Sequence, residues 1–147
     1  MVPTFSGRLQ TRFFLTLAVG VLWTLLVTLV VPRNGSLGET YKATFVTLLV
    51  VYVVGTLFWE PLYHLLMQFR WEKDWPTLFG LLTILNEGFV AWLLVFKVIK
   101  PSDSATNWTF FVHLLTTWIA IWLMANGPLR VVFMRWRFRG GEIVQHL

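Results

Sequence analysis

Two carboxylates stand where apolar surroundings penalise charge. Glu60 interrupts an apolar run from Ala43 to Phe69, and Glu87 sits midway along another from Thr77 to Ile99. An ionisable side chain inside a membrane span costs at least ~2.5–3.5 kcal/mol on insertion scales, so it normally faces protein or water and marks a functional site by default. Counted inward along each run, Glu60 lies about 13 Å and Glu87 about 15 Å from the same membrane edge. The two carboxyls are therefore expected at one level on neighbouring antiparallel helices, where at least one would be protonated if they meet. His64 follows Glu60 by one turn on the same helix face. Asn86, Tyr52 and, near the opposite membrane face, His113 complete the polar candidates. These residue types suit proton or cation handling. They equally suit a hydrogen-bonded cluster that fixes helix register or meets a partner subunit. Pro61 supplies no backbone donor and leaves the Leu57 carbonyl free for another partner.

Other chemistries find less support. Intramembrane histidines ligate haem and pigments, and His64 or His113 could each do so alone. Each lies about 7 Å in from a different face, so they differ in depth by ~15 Å and cannot clamp one iron between them. No cofactor is otherwise expected. The sequence has no His-Glu-x-x-His or Glu-x-x-His pattern, no Gly-x-Ser-x-Gly and no phosphate-binding glycine loop, so catalysis and a metal site are not expected. There is no cysteine, which removes thiolate and disulfide chemistry. Asn34-Gly35-Ser36 and Asn107-Trp108-Thr109 match the glycosylation pattern, but lie so near the membrane that chance explains them.

The elements that must position these side chains are membrane spans. Of 147 residues, 56% are hydrophobic and 13% charged, with a mean hydropathy of +0.67. That excludes disordered and disulfide-scaffold classes and disfavours a soluble globule. Four runs are long enough to cross a bilayer: 13–31, 43–69, 77–99 and 107–126. Turn-rich or charged links of a few residues join them, so an all-α, up-down four-helix membrane bundle over 13–128 is expected. A segment 1–12 precedes it and a basic, aromatic tail 129–147 follows.

Positive residues set the orientation. Arg8, Arg12, Arg70, Lys73, Arg130, Arg135, Arg137 and Arg139 fall on one side, and Arg33, Lys42, Lys97 and Lys100 on the other. Eight against four places both ends in the cytoplasm. The net charge of +5 then belongs to the membrane surface, and no nucleic-acid partner is expected.

Small and polar residues mark helix contacts in lipid, and each span repeats them every fourth position. They are Thr16, Gly20, Thr24 and Thr28; then Tyr52, Thr56, Glu60, His64 and Gln68; then Thr83, Glu87 and Ala91; then Thr109, His113 and Thr117. In the tail, Met134, Trp136 and Phe138 alternate with Arg135, Arg137 and Arg139. A period of two favours an extended strand, with Gly140-Gly141 as a turn. Its aromatics would enter the lipid interface while these arginines and Arg130 meet anionic headgroups or a partner. The leading expectation is a non-catalytic, multi-pass accessory or assembly subunit of the cell membrane, working through helix contacts with another membrane protein or its own copies. The alternatives are an oligomeric proton-coupled transporter or channel using Glu60 and Glu87, and a haem- or pigment-binding protein.

Overall fold

The computed structural model describes residues 3–71 and 76–144. Every regular element among them is helical. Four helices are long and apolar enough to cross a membrane: α1 (Phe5–Val27), α2 (Leu37–Gln68), α3 (Thr77–Ile99) and α4 (Asn107–Val132). A short fifth, α5 (Met134–Phe138), follows.

Three of the four long helices start at side-chain caps rather than at the onset of apolarity. Thr4 accepts a hydrogen bond from the Gly7 amide, so α1 begins at Phe5, about two turns before the apolar run at Phe13. Arg8 and Arg12 are thereby carried inside the helix. Ser36 caps α2 through the Glu39 amide and brings Lys42 into it. Thr106 caps α4 through the Thr109 amide. At the far end of α4, Gly127 (φ −117°, ψ −99°) breaks the helix, yet it resumes at Pro128 and reaches Val132.

Contacts define an up-down bundle. Tyr41 at the start of α2 donates to the Leu25 carbonyl near the end of α1 (2.7 Å), while Phe5 packs on His64 at the opposite ends. Asn86 of α3 donates to Tyr63 of α2 (2.6 Å). Trp92 of α3 meets Asn107 of α4 (3.0 Å). Thr24 of α1 meets His113 of α4 (2.9 Å). Adjacent helices therefore run antiparallel.

The interior is rich in threonine and the exterior in leucine. Thr24, Thr28, Thr40, Thr44, Thr47, Thr109 and Thr117 are buried, whereas Leu26, Leu57, Leu85 and Phe89 face outward. Several of the inner hydroxyls donate to a carbonyl one turn back, as Thr28 does to Thr24 (2.6 Å) and Thr47 to Ala43 (2.9 Å). Their methyls are then left to pack between helices, the distribution a lipid solvent favours.

Three helices contain a π-helical turn: Thr16–Gly20, Gly55–Trp59 and Leu94–Ile99. The second one re-registers α2. Residues buried along that helix include Thr40, Thr44, Thr47, Gly55, Glu60, Tyr63 and Met67, and the step from 55 to 60 spans the wide turn. The expected ridge of Tyr52, Thr56, Glu60, His64 and Gln68 is therefore not the inner face. Only Glu60 of that set is buried; Gln68 is exposed and the others are half-buried. The extra residue per turn rotates everything after Gly55 relative to everything before it.

The tail also departs from expectation. Residues 134–138 form helix α5, not a strand, and Gly140 and Gly141 make a left-handed turn (φ 61° and 87°). The turn lays the chain back on the start of α1. Thr4 N donates to Gly140 O (2.9 Å), and Gln10 Oε1 accepts from the Ile143 and Val144 amides (2.9 and 2.8 Å).

Candidate functional site

Glu60 and Glu87 do come together, but not as a bare carboxyl pair. Arg12 lies between them. Its Nε donates to Glu60 Oε1 (2.7 Å), and its Nη1 and Nη2 donate to Glu87 Oε2 and Oε1 (3.0 Å each). Arg8, one turn earlier, donates from Nε to the other Glu60 oxygen (2.7 Å). Two guanidiniums and two carboxylates cancel formally about 10–15 Å in from one end of the bundle. The expectation of a shared proton assumed that the acids would meet without a cation between them, and Arg12 removes that premise.

Local sequence makes room for the guanidinium. A Cβ on Gly55 would lie 1.8 Å from Arg12 Nη1, so the π-turn of α2 presents a bare backbone where the arginine crosses. Pro61 stands just beyond that turn. It lacks the N–H that would bond the Leu57 carbonyl, and the Glu60 amide reaches back to Gly55 O instead. The wide turn, the glycine and the proline together set Glu60 against α1.

The quartet lies on the wall of a cavity of about 750 Å³ inside the bundle. Arg8, Arg12, Glu60, Tyr63, Asn86 and Glu87 line one side, and His113, Thr117, Trp118, Trp122 and Arg130 of α4 the other. Its inner end is closed by buried Thr47, Leu48, His113 and Leu114, while residues 76–80 and Arg137 at the other end are exposed. The first turns of α3 (Thr77–Leu82) bury no residue. They are held to α4 by two indoles, Trp118 Nε1 donating to Gly80 O (3.1 Å) and Trp122 Nε1 to Thr77 O (2.9 Å). With their N–H groups so engaged, the indole rings give the cavity apolar surface.

His113 is 1% exposed and bonds Thr24 through Nε2. Its Nδ1, Thr117 Oγ1 and Arg130 Nε are buried with no hydrogen-bond partner among the described residues, all on α4 residues lining the cavity. Thr16 and Tyr52 also line it, and Tyr52 meets Phe13 ring to ring at 6.2 Å. Gly20, Thr24 and Thr28 are buried between α1 and its neighbours, with Thr28 Oγ1 2.9 Å from Thr44 Oγ1. His64 stands outside the cavity against the Phe5 ring (5.5 Å), so the two histidines do not share a site. No group of three histidine, aspartate or glutamate side chains clusters among the described residues.

Tail residues divide. Trp136 does not enter a lipid interface: it is 7% exposed, packed with Leu15 and Leu129, and donates to Thr11 Oγ1 (2.8 Å). Arg135 and Arg137 are exposed and Arg139 half-buried. Arg130 donates to Asn126 Oδ1 (2.8 Å).

Sequence reasoning passed over Arg8, Arg12 and Gly55 as site components, while the depth of Trp118 and Trp122 in their span marks them as residues in need of a packing or ligand explanation. One signal was present for the arginines. Their spacing of four continues the Thr16, Gly20, Thr24, Thr28 ridge toward the amino end. No protein-family model, curated protein or solved structure matches the chain.

Proposed function

We propose that this protein is a non-catalytic membrane module that crosses the bilayer four times, has both ends on the cytoplasmic side, and holds a small amphiphilic molecule inside its bundle. The observation carrying this reading is the cavity of about 750 Å³, apolar along its indole wall and polar at a few fixed groups. Sites for small organic ligands share that size range and that mixture of linings. Its accessory role is then to present or retain the bound molecule. Use of Glu60 and Glu87 as freely exchanging proton carriers is disfavoured, because all four carboxylate oxygens already accept from guanidinium N–H groups.

Gly80 offers a direct test. A Cβ there would meet only Trp122 atoms, at 3.6 and 3.8 Å, so a side chain can be added without backbone strain. Full-length protein released from its membrane in mild detergent is expected to carry a non-covalent adduct in native mass spectrometry, and Gly80→Phe to carry much less of it. An adduct-free parent protein, or an undiminished adduct in Gly80→Phe, would overturn the reading.

A further inference from the structure

Charge bookkeeping around the cavity narrows what it takes. Arg8 and Arg12 are balanced by Glu60 and Glu87. Arg130 and Arg137 have no such counterpart among the described residues. Neither has a carboxylate within 4.0 Å among the described residues, and Arg130 makes its hydrogen bond to the neutral Asn126 amide. Both line the cavity near its exposed end, whereas its closed end is walled by Leu48, His113, Leu114 and buried threonines. The lining therefore changes along its length: two cations without a carboxylate partner among the described residues stand at the mouth, the ion-paired quartet lies along one wall, and the depth is largely apolar apart from His113 and Thr117. From His113 to Arg130 it follows α4 for about 25 Å, the length of an extended hydrocarbon chain rather than of a compact solute.

Accepting that the cavity binds an amphiphile, we infer that the occupant is an anionic one, with a phosphate or carboxylate head at Arg130 and Arg137 and its apolar chain directed past Trp122 and Trp118 toward His113. Guanidinium forks match phosphate and carboxylate oxygens and bond them more strongly than neutral groups. A cationic head would face two uncompensated positive charges there. A neutral head would leave both arginines without a counter-charge in a site partly shielded from water. The same chemistry has two sources: a phospholipid from the surrounding bilayer, or a single-chain fatty acid arriving from the aqueous phase.

Bromine on an acyl chain quenches tryptophan fluorescence at contact, and Trp118 and Trp122 lie in the wall. The full chain is reconstituted in phosphatidylcholine vesicles and titrated with brominated phosphatidylglycerol, brominated phosphatidylcholine or brominated fatty acid. The quench lost in Trp118→Phe/Trp122→Phe defines the cavity signal. We expect the anionic probes to half-saturate that signal at about tenfold lower mole fraction than brominated phosphatidylcholine, the scale of one charge-assisted hydrogen bond. Arg130→Gln should abolish the preference and Arg130→Lys should keep most of it. Unchanged quenching of Arg130→Gln by the neutral probe reports that the variant is folded. Phosphatidylglycerol acting alone identifies bilayer lipid as the source, and fatty acid acting as well or better identifies the single-chain acid. Equal cavity quenching by neutral and anionic probes, or a preference indifferent to Arg130→Gln, overturns the inference on charge while leaving an amphiphile site in place. Absence of any cavity signal overturns the binding reading itself.

Discussion

Arg12 holds Glu87 through two parallel hydrogen bonds of 3.0 Å, joining α1 to α3 across the bundle. The same guanidinium reaches Glu60 on α2, so one side chain ties three helices together. Its side chain is 15% exposed and that of Glu87 only 2%. Removing one partner from such a pair strands the other charge in a poor solvent, which costs roughly 3–5 kcal/mol. Arg12→Gln is therefore expected to lower the thermal midpoint of the detergent-solubilised protein sharply. Arg8→Gln should cost less, about 1–2 kcal/mol, because Glu60 keeps the Arg12 Nε. Arg12→Met combined with Glu87→Leu should recover much of the loss by removing both charges. A melting curve for Arg12→Gln that overlays the parent would show that the quartet does not hold the bundle.

Gly55 should be intolerant for a reason visible in one distance. Any Cβ there would fall 1.8 Å from Arg12 Nη1 and 2.6 Å from its Cζ, so Gly55→Ala must displace the guanidinium. Overpacking of this kind costs about 1–3 kcal/mol before the lost ion pairs are added. Gly38 provides the contrast, since nothing lies within 4 Å of a Cβ at that position. Gly38→Ala in the first turn of α2 should be neutral or stabilising by up to about 1 kcal/mol. Paired melts of the two variants check this. Equal stability would remove the steric role assigned to Gly55.

What the sequence revealed, and what it hid, follows from where helical periodicity holds. In α4 the spacing of Thr109, His113 and Thr117 reads straight through to three buried side chains, because no irregular turn separates them. In α2 the same spacing fails beyond Gly55, because the π-turn adds a residue that no constant period includes. Charge alone puts Arg8 and Arg12 in the segment before the first span, whereas the cap at Thr4 extends the helix to include them. Each carboxylate was legible as a site on the ground of its penalty in lipid, but its cation was not, since the partners lie 48 and 75 residues away in sequence. In the tail, an alternation over six residues is too short for a period of two to outweigh the docking of Trp136 on α1.

Trp136 makes the tail's return path testable. It buries its ring against Leu15 and Leu129 and donates to Thr11, whereas Phe138, two residues on, is 82% exposed. Trp136→Ala should cost about 3–5 kcal/mol of docking, as large aromatic truncations in packed sites do. Phe138→Ala should cost almost nothing. Trypsin reads the difference, because Arg135, Arg137 and Arg139 flank the indole. Cleavage at these sites should be markedly faster in Trp136→Ala than in the parent or in Phe138→Ala. Equal cleavage in all three would mean that the tail is not anchored by this residue.

Orientation rests on a charge difference that the structure narrows. Eight positive residues against four favour both ends in the cytoplasm, but Arg8 and Arg12 are consumed inside the bundle by Glu60 and Glu87. That leaves six against four, which is the same sign with less weight, and the positive-inside preference still points the same way. Because the chain has no cysteine, an introduced thiol is the only one to react. Ser102→Cys, in the α3–α4 connection, should be labelled by a membrane-impermeant maleimide on intact cells. Arg139→Cys in the tail should react only after the membrane is opened. The reverse pattern would invert the topology. Labelling of both positions from outside would mean an even number of crossings between them, leaving α4 lying along the membrane or folded back instead of spanning it, and would remove the membrane setting of the quartet.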